Sequence, residues 1–133
     1  MDEGALDAVS VARLLEIDPE RVFKTLVARD DGGRHLAFCI PGAAELDLKK
    51  AAVAAGSKRV AMVPRKDLLP LTGYVHGGCS PVGMKRALPT FIDETVVLHD
   101  RILVSAGVRG LQIEIAPADL QRATDATVAD LTA

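Results

Sequence analysis

A chain of 133 residues fits one domain, long enough to bury about two thirds of its unfolded surface in a single core without metal or disulfide staples. Hydrophobic residues make up 49% of it, yet Phe23, Phe38, Tyr74 and Phe91 are the only aromatics, so the core must be built mainly from Val, Leu, Ile and Ala, and a base-stacking platform is not expected. The net charge of -2 argues against a general nucleic-acid binder, the apolar runs fall far short of the roughly 20 residues that span a bilayer, and Met1-Asp2-Glu3 is acidic where a signal peptide is basic.

The expected compartment is therefore the cytoplasm, where Cys39 and Cys79, too few for a disulfide framework, stay as thiols.

Taken in order, residues 5–16 carry Leu6, Val9, Leu14 and Leu15 on an imperfect helical stripe, and Asp18-Pro19-Glu20 reads as a new helical start, with Asp as cap and Pro at the first position. Residues 23–28 and 36–40 flank Asp30-Asp31-Gly32-Gly33 and should pair as an antiparallel hairpin. The clearest helix is 46–55, with Asp47 as cap and Gly56 as stop. Residues 60–63 read as a short buried strand and 65–69 as a short helix ended by Pro70 and Gly73. Beyond a glycine-rich loop, the β-branched runs 90–92, 95–99, 102–105 and 111–115 read as strands, and Pro117 opens a last helix over 117–123. Without strict βαβ alternation, an α/β or α+β domain around a curved, partly antiparallel sheet fits better than a dinucleotide-binding fold.

Charge is unevenly distributed. Between residues 49 and 86, Lys49, Lys50, Lys58, Arg59, Arg65, Lys66, Lys85 and Arg86 stand against the single acid Asp67, a local balance of +7, while the rest of the chain carries 8 basic and 17 acidic residues, or -9. A basic face for a phosphate backbone and a set of ordinary solvated charges are both compatible with this pattern.

Several catalytic signatures fail. Gly78-Cys79-Ser80-Pro81-Val82-Gly83 approaches a nucleophile elbow, but its second glycine comes one residue late and Pro81 removes the N–H that would serve an oxyanion. No nucleotide-binding glycine fingerprint is present. His76 and Cys79 are three residues apart, too few ligands for zinc, and as a nucleophilic pair they compete with the plainer reading of a loop histidine beside a small buried thiol. What remains is a pocket: Lys24, alone in the apolar run Val22-Phe23-Lys24-Thr25-Leu26-Val27, with the glycine-bearing segments 77–83 and 105–110. Burying an ammonium is costly unless something compensates it, and glycines let a backbone approach a ligand closely. Lys24 as an outward edge-strand charge, and Gly107 and Gly110 as mere turn-formers, are the alternatives.

Four runs then resemble the YbaK/EbsC family of aminoacyl-tRNA deacylases, relatives of the editing domain inserted in bacterial prolyl-tRNA synthetases. They are Val22-Phe23-Lys24-Thr25-Leu26, Leu46-Asp47-Leu48-Lys49-Lys50, the segment from Thr72 to Gly83, and the segment from Val104 to Ile113, in a likeness running from Ala5 to Leu131. The resemblance implies one YbaK-like domain over 1–133, a curved, mixed, partly antiparallel sheet or barrel flanked by helices, and a trans-editing enzyme that removes Cys or Ala from tRNA for proline without metal or cofactor. The implied partners are the mischarged tRNA and prolyl-tRNA synthetase. Carried over by position, Lys24, Gly77 and Ser105 would be the catalytic set. Thr25, Gly78, Ser80, Gly107 and Gln112 would bind substrate, and Lys49, Lys50, Lys58, Arg59, Lys85 and Arg86 would meet the tRNA. Two departures stand out: the chain is expected to lack the family's usual N-terminal hairpin with its aromatic pocket residue, and Gln112 stands where an acid often follows Arg-Gly-Leu. A catalytically weak tRNA- or synthetase-binding module of the same fold is the alternative.

Overall fold

The computed structural model describes residues 19–84, 87–108 and 110–133; the helix expected over 5–16 lies outside them. A 3-10 turn, Pro19–Arg21, leads into β1 (Phe23–Asp30), which pairs antiparallel with β2 (His35–Pro41) in the expected hairpin, Lys24 opposite Ile40 and Thr25 opposite Cys39. Next comes α1 (Leu48–Ala55), where the Asp47 carboxylate accepts from the Lys49 and Lys50 N–H groups and Gly56 ends the helix at φ 69°, both as the sequence indicates. The strand β3 (Val60–Met62) pairs antiparallel with Ala28 to Asp30 of β1. It was expected to be buried, but it forms the edge of the sheet, so only Val60 is covered and Ala61 and Met62 are exposed.

The helix α2 (Arg65–Thr72) runs on through Pro70, past the stop expected at residue 69. Proline forfeits one hydrogen bond here, to the carbonyl of the exposed Lys66, and the last turn is held by Thr72 Oγ1 donating to Leu68 O at 2.8 Å and Gly73 N donating to Leu69 O at 2.8 Å. Then β4 (Thr90–Asp93) lies parallel to β2. The run 95–99, expected as a strand, is instead a 3-10 helix, Glu94–Leu98. Asp93 Oδ2 accepts from Thr95 N at 3.1 Å and from Thr95 Oγ1 at 2.6 Å, so a helix cap overrides the strand preference of Thr and Val.

A separate antiparallel pair follows, β5 (Ile102–Ser105) and β6 (Gln112–Ile115), then α3 (Pro117–Thr124) and β7 (Thr127–Ala129), a strand the sequence did not announce. The main sheet is thus mixed, in the order β3-β1-β2-β4-β7.

Strand alternation sorts the core onto two faces. On one, Leu36, Phe38, Ile40 and Phe91 pack with Ala51 and Ala52 of α1, the rings of Phe38 and Phe91 stacking at 5.3 Å. On the other, Phe23, Cys39 and Ile92 meet Ile102 and Val104 of β5 and Leu120 of α3. A smaller cluster, Val27, Leu68 and Cys79 with Leu71 and Tyr74, roots the glycine-rich loop. Among the described residues no helix is long and apolar enough to cross a membrane.

Candidate active site

Because β3 pairs only with Ala28 to Asp30, the first half of β1 has β2 on one side and no β3 on the other. Phe23, Lys24, Thr25 and Leu26 all line one pocket of about 260 Å³. Consecutive strand residues point to opposite faces, so four in a row can share a cavity only if it lies against the strand's edge. Its remaining wall is Gly42, Leu68 of α2, His76, Gly77 and Cys79 of the loop, and Ser105 and Gln112 of the β5–β6 pair. A bridge between Val22 and Leu103 seats that pair beside the start of β1.

The pocket therefore gathers Lys24, Thr25, Gly77, Ser105 and Gln112 from three distant stretches of chain. Lys24 is half-buried rather than an outward edge charge. Gly77 has φ 85°, a conformation that side-chain-bearing residues rarely adopt. Ser105 Oγ accepts from Gly107 N at 3.2 Å, which leaves its O–H to donate elsewhere. Thr25 Oγ1 lies 3.6 Å from Cys39 Sγ.

Three residues expected to bind substrate do not line the cavity: Gly78, Ser80 and Gly107. Ser80 is 1% exposed and its Oγ accepts from Val82 N at 3.3 Å, which fixes the loop rather than reaching the hollow. At Gly107, φ is 105° and an added Cβ would fall 2.9 Å from Tyr74 Cε1. Since Tyr74 also donates its hydroxyl to Val82 O at 2.7 Å, this one ring fastens the glycine loop to the β5–β6 turn.

Of the residues expected to meet tRNA, Lys49, Lys58 and Arg59 are exposed, and Lys50 Nζ is engaged by Thr132 O at 2.8 Å and Asp130 at 3.1 Å. Lys85 and Arg86 lie outside the described residues.

Sequence reasoning passed over Phe23, Leu26, Gly42 and Leu68 as pocket walls. The first two lie in the run that drew attention to Lys24, whereas nothing in the sequence marked the other two.

The Cys79–His76 pair does not form an activated nucleophile. Burial pushes the Cys79 thiol up to about 11, against a smaller downward effect of a hydrogen bond with Thr72, so it carries its proton at neutral pH. His76 Nε2 lies 3.0 Å from Arg65 Nη2, and a guanidinium can only donate, so that nitrogen accepts from arginine. Burial likewise raises the Cys39 thiol to about 12. Among the described residues no three His, Cys, Asp or Glu side chains are grouped to hold a metal ion. A larger hollow of about 860 Å³ runs along β3 and α2 past Arg29, Arg59 and Met62; it holds none of the residues expected around the acyl group, and its size does not compensate for that.

Comparison with known proteins agrees with this architecture. The aminoacyl-tRNA editing domain matches residues 2–123. A protein of Enterococcus faecalis provisionally named Cys-tRNA(Pro)/Cys-tRNA(Cys) deacylase EbsC is 47% identical over 130 residues, 98% of this chain and 79% of that one. A proline–tRNA ligase of Syntrophotalea carbinolica is 32% identical over 89 residues, 66% of this chain and 16% of the ligase. Among solved structures, one provisionally described as a trans-editing enzyme for prolyl tRNA synthetase superposes with a TM-score of 0.87 at 26% identity, covering 100% of this chain and 83% of that one. The chain belongs to the aminoacyl-tRNA editing family, in its YbaK/EbsC branch of deacylases.

Proposed function

We propose that this deacylase cleaves the ester of mischarged tRNA for proline, with cysteine or alanine as the acyl group, using neither a metal nor a protein nucleophile. The observation that carries the reading is the meeting of Lys24, Thr25, Gly77 and Ser105 in one small pocket whose thiol is protonated. An ester is already activated, so orienting it and stabilising the charge that develops on its carbonyl oxygen can suffice. In this scheme the Lys24 ammonium and the Ser105 hydroxyl donate to that oxygen, Thr25 lines the wall, and the Gly77 backbone contacts the aminoacyl group.

For alanine, water adds to the carbonyl carbon and the C–O bond to the ribose breaks, giving the free amino acid and a restored ribose hydroxyl. For cysteine, the substrate's own sulfur attacks, a C–S bond forms as the C–O bond breaks, the thiol proton passes to the ribose oxygen, and a thiolactone leaves. Such an activity has a physical reason: one methylene gives a synthetase pocket only about 1–3 kcal/mol of discrimination, too little to exclude similar or smaller amino acids. A cavity of about 260 Å³ lies just below the usual range of about 300–1,000 Å³ for small-molecule sites, a size for one small aminoacyl unit. The exposed Lys49, Lys58 and Arg59 supply phosphate contacts, and prolyl-tRNA synthetase is the partner that delivers the tRNA.

The test is a panel of tRNA for proline charged with Cys, Ala or Pro. Release of Cys or Ala with Pro retained is expected, and binding of tRNA without any turnover sinks the reading.

A further inference from the structure

Gln112 stands directly across from Ser105 in the β5–β6 register, so both side chains project from one face of that pair, and both line the pocket. Its amide oxygen Oε1 is buried and has no hydrogen-bond partner among the described residues. Nearly all buried polar atoms in folded proteins are paired, so an acceptor left over in a cavity wall calls for a donor arriving from outside.

The pocket's other polar groups narrow what that donor is. Lys24 can only donate, and Ser105 Oγ, already accepting from Gly107 N, has its O–H to give, so both suit the accepting carbonyl of an acyl ester. The strongest donor in an aminoacyl group is its α-amine, which keeps N–H bonds to offer whether or not it is protonated, whereas a cysteinyl thiol is only a weak donor.

Resting on the reading of this cavity as an aminoacyl-ester site, we infer that Gln112 is a specificity-determining residue whose Oε1 accepts from the substrate's free α-amine. The preferred substrates are then esters of unblocked α-amino acids, and acyl groups without that amine bind less well. The neutral amide suits this place because it meets an amine without adding a carboxylate beside Lys24.

The experiment uses two uncleavable adenosine derivatives, 3′-alanylamido-3′-deoxyadenosine and its propionylamido counterpart lacking the amine, titrated by calorimetry into the wild-type protein, Gln112→Leu and Gln112→Glu. A hydrogen bond to a charged donor corresponds to roughly tenfold to a hundredfold in affinity, so the wild type should prefer the amine-bearing probe by about that factor. In Gln112→Leu the preference should disappear through weaker binding of that probe alone, whereas Gln112→Glu, which keeps an acceptor, should retain it. Equal weakening of both probes in the Leu variant overturns the inference in favour of a structural role, and so does a preference that survives there or is missing from the wild type. Turnover of mischarged tRNA by the same wild-type protein separates the two readings. Turnover without amine preference removes the Gln112 contact alone, whereas amine preference without turnover removes the deacylase substrate and leaves the contact.

Discussion

Along β1, Ala28, Arg29 and Asp30 are enclosed by β2 on one side and β3 on the other, whereas Phe23 to Leu26 have β2 alone and meet the pocket across their open edge. An unpaired strand edge is ordinarily a liability that proteins cover or blunt. Here the covering is done by a loop and by the β5–β6 pair, which leave a hollow between themselves and the strand. The enclosed half anchors the sheet through its ladder and through Asp30, and Phe23 and Leu26 tie the open half into the two core clusters, so Lys24 between them can stay half-buried at the pocket without itself having to stabilise the fold. Binding chemistry and stability are thus assigned to different side chains within eight residues.

Substitution at the open half offers the sharpest way to break this division. Lys24→Ala should lower kcat/KM for a mischarged tRNA by about 100-fold or more, the usual effect of losing a donor to a developing oxyanion, with thermal unfolding nearly unchanged. Equal activity in the variant would remove Lys24 from the chemistry, and a large fall in Tm would show that Lys24 carries stability after all. Gly107→Ala comes next, acting through Tyr74 on the loop that bears Gly77. The new Cβ would lie 2.9 Å from the Tyr74 ring at φ 105°, and backbone strain of that kind costs about 1–3 kcal/mol. Both Tm and kcat/KM should drop, because the ring that must move also holds the loop bearing Gly77; a loss in Tm with unaltered kinetics would show that Tyr74 does not set the pocket wall.

The same division explains what could be read from the sequence. The hairpin, α1 with its Asp47 cap and Gly56 stop, and the position of Lys24 all rest on local signals of periodicity, capping and charge. The run 95–99 misled because its strand-like side chains are overruled by one residue before them, Asp93, whose carboxylate also accepts from Leu131 N at 2.9 Å, a partner 38 positions away. Of the residues that family likeness pointed to, Lys24, Thr25, Gly77, Ser105 and Gln112 line one hollow, whereas Ser80 and Gly107 shape the loops and Gly42 and Leu68 complete the walls. Which glycine faces a ligand and which receives a tyrosine ring depends on how two loops meet, and no local pattern encodes that. The strand β7 escaped notice because three residues of edge pairing leave no periodic trace.

Asp30, at the enclosed end of β1, gives the smallest and most specific test. Its carboxylate accepts from Arg34 N at 2.8 Å, Gly32 N at 3.0 Å, Ser57 Oγ at 2.9 Å and Arg34 Nε at 3.3 Å. The backbone hydrogen bond from Arg34 is the largest influence, and with the others it holds the group below its usual value of 3.8 despite an opposing effect of desolvation. A folded-state pKa below the unfolded one means that the ionised group stabilises the native protein at pH values above the unfolded pKa, and that this contribution drains away as pH falls through the depressed folded value. Replacing the carboxylate by an amide, as in Asp30→Asn, would keep one accepting oxygen but turn an N–H₂ toward the donors of Arg34 or Ser57. The Tm of Asp30→Asn should therefore lie below that of the wild type at neutral pH, and the gap should close as both are titrated from about pH 6 to about pH 2.5, with deacylation at neutral pH unaffected. A gap that stays constant or widens in acid would mean that the ionised carboxylate is not what fastens the enclosed half, and loss of activity at neutral pH would show that the two halves of β1 are coupled.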